Sequence, residues 1–112
     1  MSDLTERKCT PCEGGAAPLT RVQAEARLGE LARGWQLAAD GTSLAREFRF
    51  ADFLHTMSFV NALAHVANIE DHHPDLEVGY HYCRVRYSTH AIGGLSDNDF
   101  ICAAKIDRIA LS

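Results

Sequence analysis

No stretch of this chain is apolar for long enough to span a bilayer, and its first residues, MSDLTERKCTPCEGGAAP, are polar where a secretory signal needs an apolar run. The expectation is a protein neither embedded in a membrane nor exported, and hence cytoplasmic. Basic residues are in deficit: 11 Lys and Arg stand against 15 Asp and Glu, a net charge of −4, and the cations are scattered among the acids. The electrostatic footprint of nucleic-acid binding is therefore missing. Without an export signal, Cys9, Cys12, Cys83 and Cys102 are expected to remain thiols. A second C-x-x-C is also lacking, so Cys9-Thr10-Pro11-Cys12 is half a zinc site at most, and no metal is expected. Internal repeats and low-complexity blocks are absent too. What remains, at 112 residues and 46% apolar, is enough to bury one core.

Residues 1–18 carry Pro11, Gly14, Gly15 and Pro18 with little apolar periodicity and read as an irregular arm, leaving 19–112 as a single domain. Thr20 and Gln23 stand at the capping-box offset, and Val22, Ala26, Leu28 and Leu31 predict a helix over 20–33 that Gly34 stops. Trp35 and Leu37, an Asp40-Gly41 turn, then Leu44, Phe48 and Phe50 predict a β-hairpin. Asp52 caps a second helix whose stripe is Phe53, Met57, Val60, Ala64 and Ala67, bounded by Pro74. Leu76 and Val78, a turn at Gly79, then Cys83, Val85 and Tyr87 alternating with Arg84, Arg86 and Ser88 make a second hairpin with one polar face. Ser96 and Asp99 resemble a capping box, and Phe100, Ala103, Ile106 and Ile109 stripe a last helix. The order αββαββα predicts an α+β fold of two layers, a four-stranded antiparallel sheet covered on one face by three helices.

Chemistry concentrates in the histidines. Of the 6 in the chain, His72 and His73 fall where the second helix stops and His90 where the last strand stops. Imidazole both donates and accepts a proton near neutral pH, so such a cluster suits a reaction that needs an acid and a base. The plainer reading is that His72 and His73 merely complement a helix C-terminus and that His90 decorates a surface turn. Taken alone, Trp35 reads as core and Asp99 as first-turn charge. His55, His65 and His81 read as solvated.

Taken together, Asp71-His72-His73-Pro74-Asp75, Tyr80, Ser88-Thr89-His90, Gly94-Leu95-Ser96 and Asp99 resemble the pterin-4a-carbinolamine dehydratases. The resemblance extends over residues 18 to 109 and includes Trp35 and the stretch Phe48-Arg49-Phe50-Ala51-Asp52-Phe53. It implies a hydro-lyase that dehydrates 4a-hydroxytetrahydropterin to quinonoid dihydropterin, recycling the pterin of aromatic amino-acid hydroxylases without a cofactor. It also implies His72, His73 and His90 as catalytic positions, Trp35, Asn68 and Asp99 as substrate-binding positions, and a homodimer or homotetramer. Asn68 stands where the family commonly has an acid, and Ile92 where it usually has a cysteine. The alternative is a dimeric binding or regulatory module of the same fold. Keeping all three histidines favours the enzyme, whereas Asn68 is the change expected where catalysis has relaxed.

Overall fold

A computed structural model describes residues 4–10 and 17–111. After a 3₁₀ turn at Leu4–Glu6 the elements run α1 (Arg21–Leu28), β1 (Gln36–Leu37), β2 (Leu44–Arg49), α2 (Phe53–Glu70), β3 (Asp75–Val78), β4 (Tyr82–Tyr87) and α3 (Asp97–Leu111). The strands form one antiparallel sheet in the order β1-β2-β4-β3. This is the expected α+β arrangement.

Alternation fixes which way the sheet faces. Leu44 and Phe48 pair across β2 and β4 with Tyr87 and Cys83, and these side chains, with Val85, are buried under the helices. On the other face Arg84 pairs with Glu47 and Glu77, and Arg86 with Asp75, an ion lattice left to solvent. Leu63 of α2 and Phe100, Ile101 and Ile106 of α3 close the core, each almost fully buried and each contributing roughly 1.5–3 kcal/mol. Phe48 and Phe59 meet at 4.7 Å between ring centroids, with Trp35 edge-on to Phe48 at 6.0 Å. At the β3–β4 turn a Cβ on Gly79 would lie 2.1 Å from the Tyr82 ring, so a side chain there would have to displace that ring.

The helices depart from expectation in three places. The Thr20–Gln23 capping box forms as predicted, but α1 ends at Leu28 rather than 33. Its last turn tightens to i→i−3 bonds, Glu30 N–H to Arg27 O and Leu31 N–H to Leu28 O. Its buried side is Ala24 with half-buried Leu28 and Leu31, while Val22 and Ala26 are exposed. On α2 the buried stripe is Thr56, Phe59, Leu63, Ala67 and Glu70, turned away from the expected one, which leaves Phe53 and Ala64 exposed. Periodicity alone favoured the more apolar stripe, but the hydroxyl of Thr56 is satisfied internally by the Asp52 and Tyr80 carbonyls. The arm also joins the fold, since Leu4 is buried in the core. Cys12, with the rest of residues 11–16, lies outside the described residues.

Candidate active site

α2 stops because Asp71 takes the left-handed conformation, φ 52° and ψ 43°, and the His72 N–H turns back to the Ala67 carbonyl at 3.1 Å. The chain leaves the helix axis there, and His72 meets the exit of β4, its ring stacked on Tyr87 at 5.7 Å and 5°. From the first turn of α3, Asp99 reaches the same ring, with Oδ1 2.6 Å from His72 Nε2. Asp99 is wholly buried, and its other oxygen accepts from the Thr89 hydroxyl at 2.8 Å and the Ser96 N–H at 2.9 Å. The Asp99 half of the capping box thus forms, while the Ser96 hydroxyl pairs with that of Thr89. With Nε2 engaged by a carboxylate, Nδ1 of His72 is the nitrogen left to exchange a proton.

His72 lies at a cavity of about 590 Å³, a size suited to a small heterocycle. His73 and His90 also line it, His73 beside the helix end and His90 on the 3₁₀ turn His90–Ile92 after β4. The two sequence-adjacent rings therefore differ in their surroundings: the side chain of His72 is 11% exposed and anchored, whereas His73 is exposed and its Nε2 lies 3.3 Å from Asn68 Oδ1. The arm contributes to the lining as well. Cys9 and Thr10 line the cavity, the Cys9 N–H donating to Glu70 Oε1 at 2.8 Å and the Thr10 N–H to Asn98 Oδ1 at 3.0 Å. The second oxygen of Glu70 is held by Lys105 at 2.7 Å. Burial alone would raise the Glu70 carboxyl, but the Cys9 N–H and the Lys105 ammonium outweigh it and hold the group below its ordinary value. Among the described residues no group of three His, Cys, Asp or Glu side chains is placed to hold a metal ion.

The family profile described as "Pterin 4 alpha carbinolamine dehydratase" matches residues 17–109. The chain belongs to the pterin-4a-carbinolamine dehydratase family. That family is one of hydro-lyases. A protein of Nitrosomonas eutropha named "Putative pterin-4-alpha-carbinolamine dehydratase" is 57% identical, the alignment covering 100% of this chain and 97% of that one. A Legionella pneumophila protein of the same name is 53% identical over 96% of each chain. A crystal structure titled transcriptional coactivator/pterin dehydratase, from Brucella melitensis, superposes with a TM-score of 0.79 at 31% identity, covering 83% of this chain and 98% of that one. A pterin dehydratase-like protein described as a RuBisCO assembly factor shares the fold, with a TM-score of 0.63 at 23% identity over 71% of this chain and 93% of that one.

Within this dehydratase-family chain the positions expected from the resemblance separate. His72, His73 and His90 converge on one cavity. Asp99 is not among the residues that line the cavity; it lies against His72, bonded to its ring. Asn68 was expected to reach His72 one turn on, but because Asp71 swings the chain it meets His73 instead. Trp35 is absent from the lining altogether. It is 5% exposed in the core, and its indole N–H donates to both oxygens of Asp107, at 2.9 and 3.0 Å, beside the Arg46 guanidinium. Burial pushes the Asp107 carboxyl up, against the opposing pull of Trp35 and Arg46. Cys9, Thr10, Glu70 and Asn98 were missed, since nothing in their local spacing signals that the arm folds back on the cavity.

Proposed function

We propose that this cavity dehydrates 4a-hydroxytetrahydropterin to quinonoid dihydropterin, with His72 and His90 as the acid–base pair and His73 a binding group. The observation that carries the reading is the anchored His72–Asp99 pair, 2.6 Å apart, at a cavity that His90 also lines. Dehydration needs a proton delivered to the C4a hydroxyl as the N5 lone pair expels it, and a ring N–H proton removed. Two imidazoles on separate elements supply one each. Asp99 keeps the His72 Nε2–H pointed inward, which presents Nδ1 to the substrate. His73, exposed and steadied by Asn68, supplies a hydrogen bond to the bound ring system. By this reading the substrate is the product of an aromatic amino-acid hydroxylase, and the protein works in the cytoplasm as a homo-oligomer.

Assembly is supported by β3. Leu76 and Val78 pair with Val85 and Cys83 and so face the helix side, yet they are 36% and 41% exposed because, among the described residues, no helix covers this edge strand. An uncovered apolar edge is closed by a second copy. The test of function is direct: carbinolamine generated in solution, with quinonoid dihydropterin followed optically with and without the protein. Acceleration over the buffer rate is expected. Tight pterin binding without acceleration would replace the enzyme with the binding-module reading.

A further inference from the structure

Cys9 and Cys102 come from opposite ends of the chain, yet their sulfurs lie 3.5 Å apart. Three bonds hold that contact: the Cys9 N–H to Glu70, the Thr10 N–H to Asn98 Oδ1, and Asn98 Nδ2 to the Thr10 carbonyl at 2.6 Å. Cys9 lines the candidate active-site cavity, whereas Cys102 is fully buried behind it. A disulfide would need the sulfurs to close by about 1.5 Å, within the reach of a side-chain rotation and a small shift of the arm. We propose that Cys9 and Cys102 are an oxidative modification site, a thiol pair that a hydroperoxide entering the cavity converts to a disulfide, fastening the arm as a fixed wall of the site.

The step balances. The Cys9 sulfur attacks the peroxide, an S–O bond forms as O–O breaks, and water or an alcohol leaves a sulfenic acid. The Cys102 sulfur then attacks Cys9, S–S forms as S–O breaks, and the departing hydroxide takes the Cys102 proton as water. Two thiols are oxidised by two electrons and one peroxide is reduced. The order follows from access: contact with Cys9 and burial both push the Cys102 thiol up, so the cavity-facing Cys9 reacts first. Cys83 serves as an internal control, because burial in β4 pushes its thiol up to about 11.

The full-length protein is treated with hydrogen peroxide, alkylated, digested without reductant and mapped by mass spectrometry. A peptide joining Cys9 to Cys102 is expected, reversed by dithiothreitol, lost in Cys9→Ser and in Cys102→Ala, and retained in Cys12→Ser. A Cys9–Cys12 bridge, or Cys9 sulfinic acid without a cross-link, overturns the proposal. Amide exchange at Cys9 and Thr10 should slow by about tenfold or more on oxidation, and unchanged exchange would show that the arm is not fastened. The effect on pterin turnover rests on the function proposed above, with KM expected to change reversibly. Mapping and exchange do not, so inactivity of the reduced protein would refute that function and leave this site to be decided on its own.

Discussion

Asp99→Asn isolates the pair on which the proposed chemistry depends. The substitution keeps size and removes one acceptor. In the protein Asp99 accepts from His72 Nε2 at 2.6 Å, the Thr89 hydroxyl at 2.8 Å and the Ser96 N–H at 2.9 Å. A carboxamide retains one good oxygen for Thr89 and Ser96, and its NH₂ then faces His72. The ring must accept at Nε2 and carry its proton on Nδ1, the opposite tautomer from the one proposed. The charge-assisted bond to His72 is worth roughly 1.5–3 kcal/mol, a stability loss readable in urea titration. The rate should suffer as much or more: losing a positioned acid or base lowers turnover by about a hundredfold, or about 2.7 kcal/mol on the barrier. The assay is quinonoid dihydropterin formation at saturating carbinolamine, with circular dichroism to confirm folding and ¹⁵N chemical shifts to report the His72 tautomer. A folded variant with the tautomer reversed and turnover within about threefold of the parent would refute His72 as the acid–base group.

His72→Ala and His90→Ala are each expected to lower kcat by about a hundredfold or more, while His73→Ala and Asn68→Ala raise KM with kcat nearly preserved; steady-state kinetics separates the two. Trp35→Phe should cost about 1–2 kcal/mol of stability, because Asp107 loses a buried donor, yet leave KM unchanged, as calorimetry and kinetics will show. Glu70 holds the arm as an anion with a depressed carboxyl, so its contribution is complete above the ordinary value of 4.5 and is lost as pH falls through the lower folded value. Protection of the Cys9 amide, taken against its intrinsic exchange rate at each pH, should accordingly fall in acid, and Glu70→Gln should lower it at neutral pH. Light scattering should return at least a dimer, and Leu76→Glu with Val78→Glu should shift it toward monomer; a wild-type mass that stays monomeric at every concentration would count against pairing through β3.

Local pattern was enough for the element order, the sheet's inward and outward faces and the family, because alternation and capping depend on neighbours a few residues apart. Cys83, Val85 and Tyr87 had to face one way once Arg84 and Arg86 faced the other. The three histidines were legible too, since His72, His73 and His90 sit at element ends that a compact sheet-and-helix fold brings together. The roles around them were not. Whether Asn68 meets His72 or His73 turns on one left-handed residue, Asp71, a conformation that composition does not announce. Trp35 went to the core because its partner Asp107 arrives from α3, far along the chain, and a buried indole N–H needs such an acceptor. The arm looked like a leader to the fold, yet Leu4 is buried in the core and Cys9 completes the cavity wall against Glu70 and Asn98. Contacts of that separation carry no local signature. They exist only once the whole chain has packed.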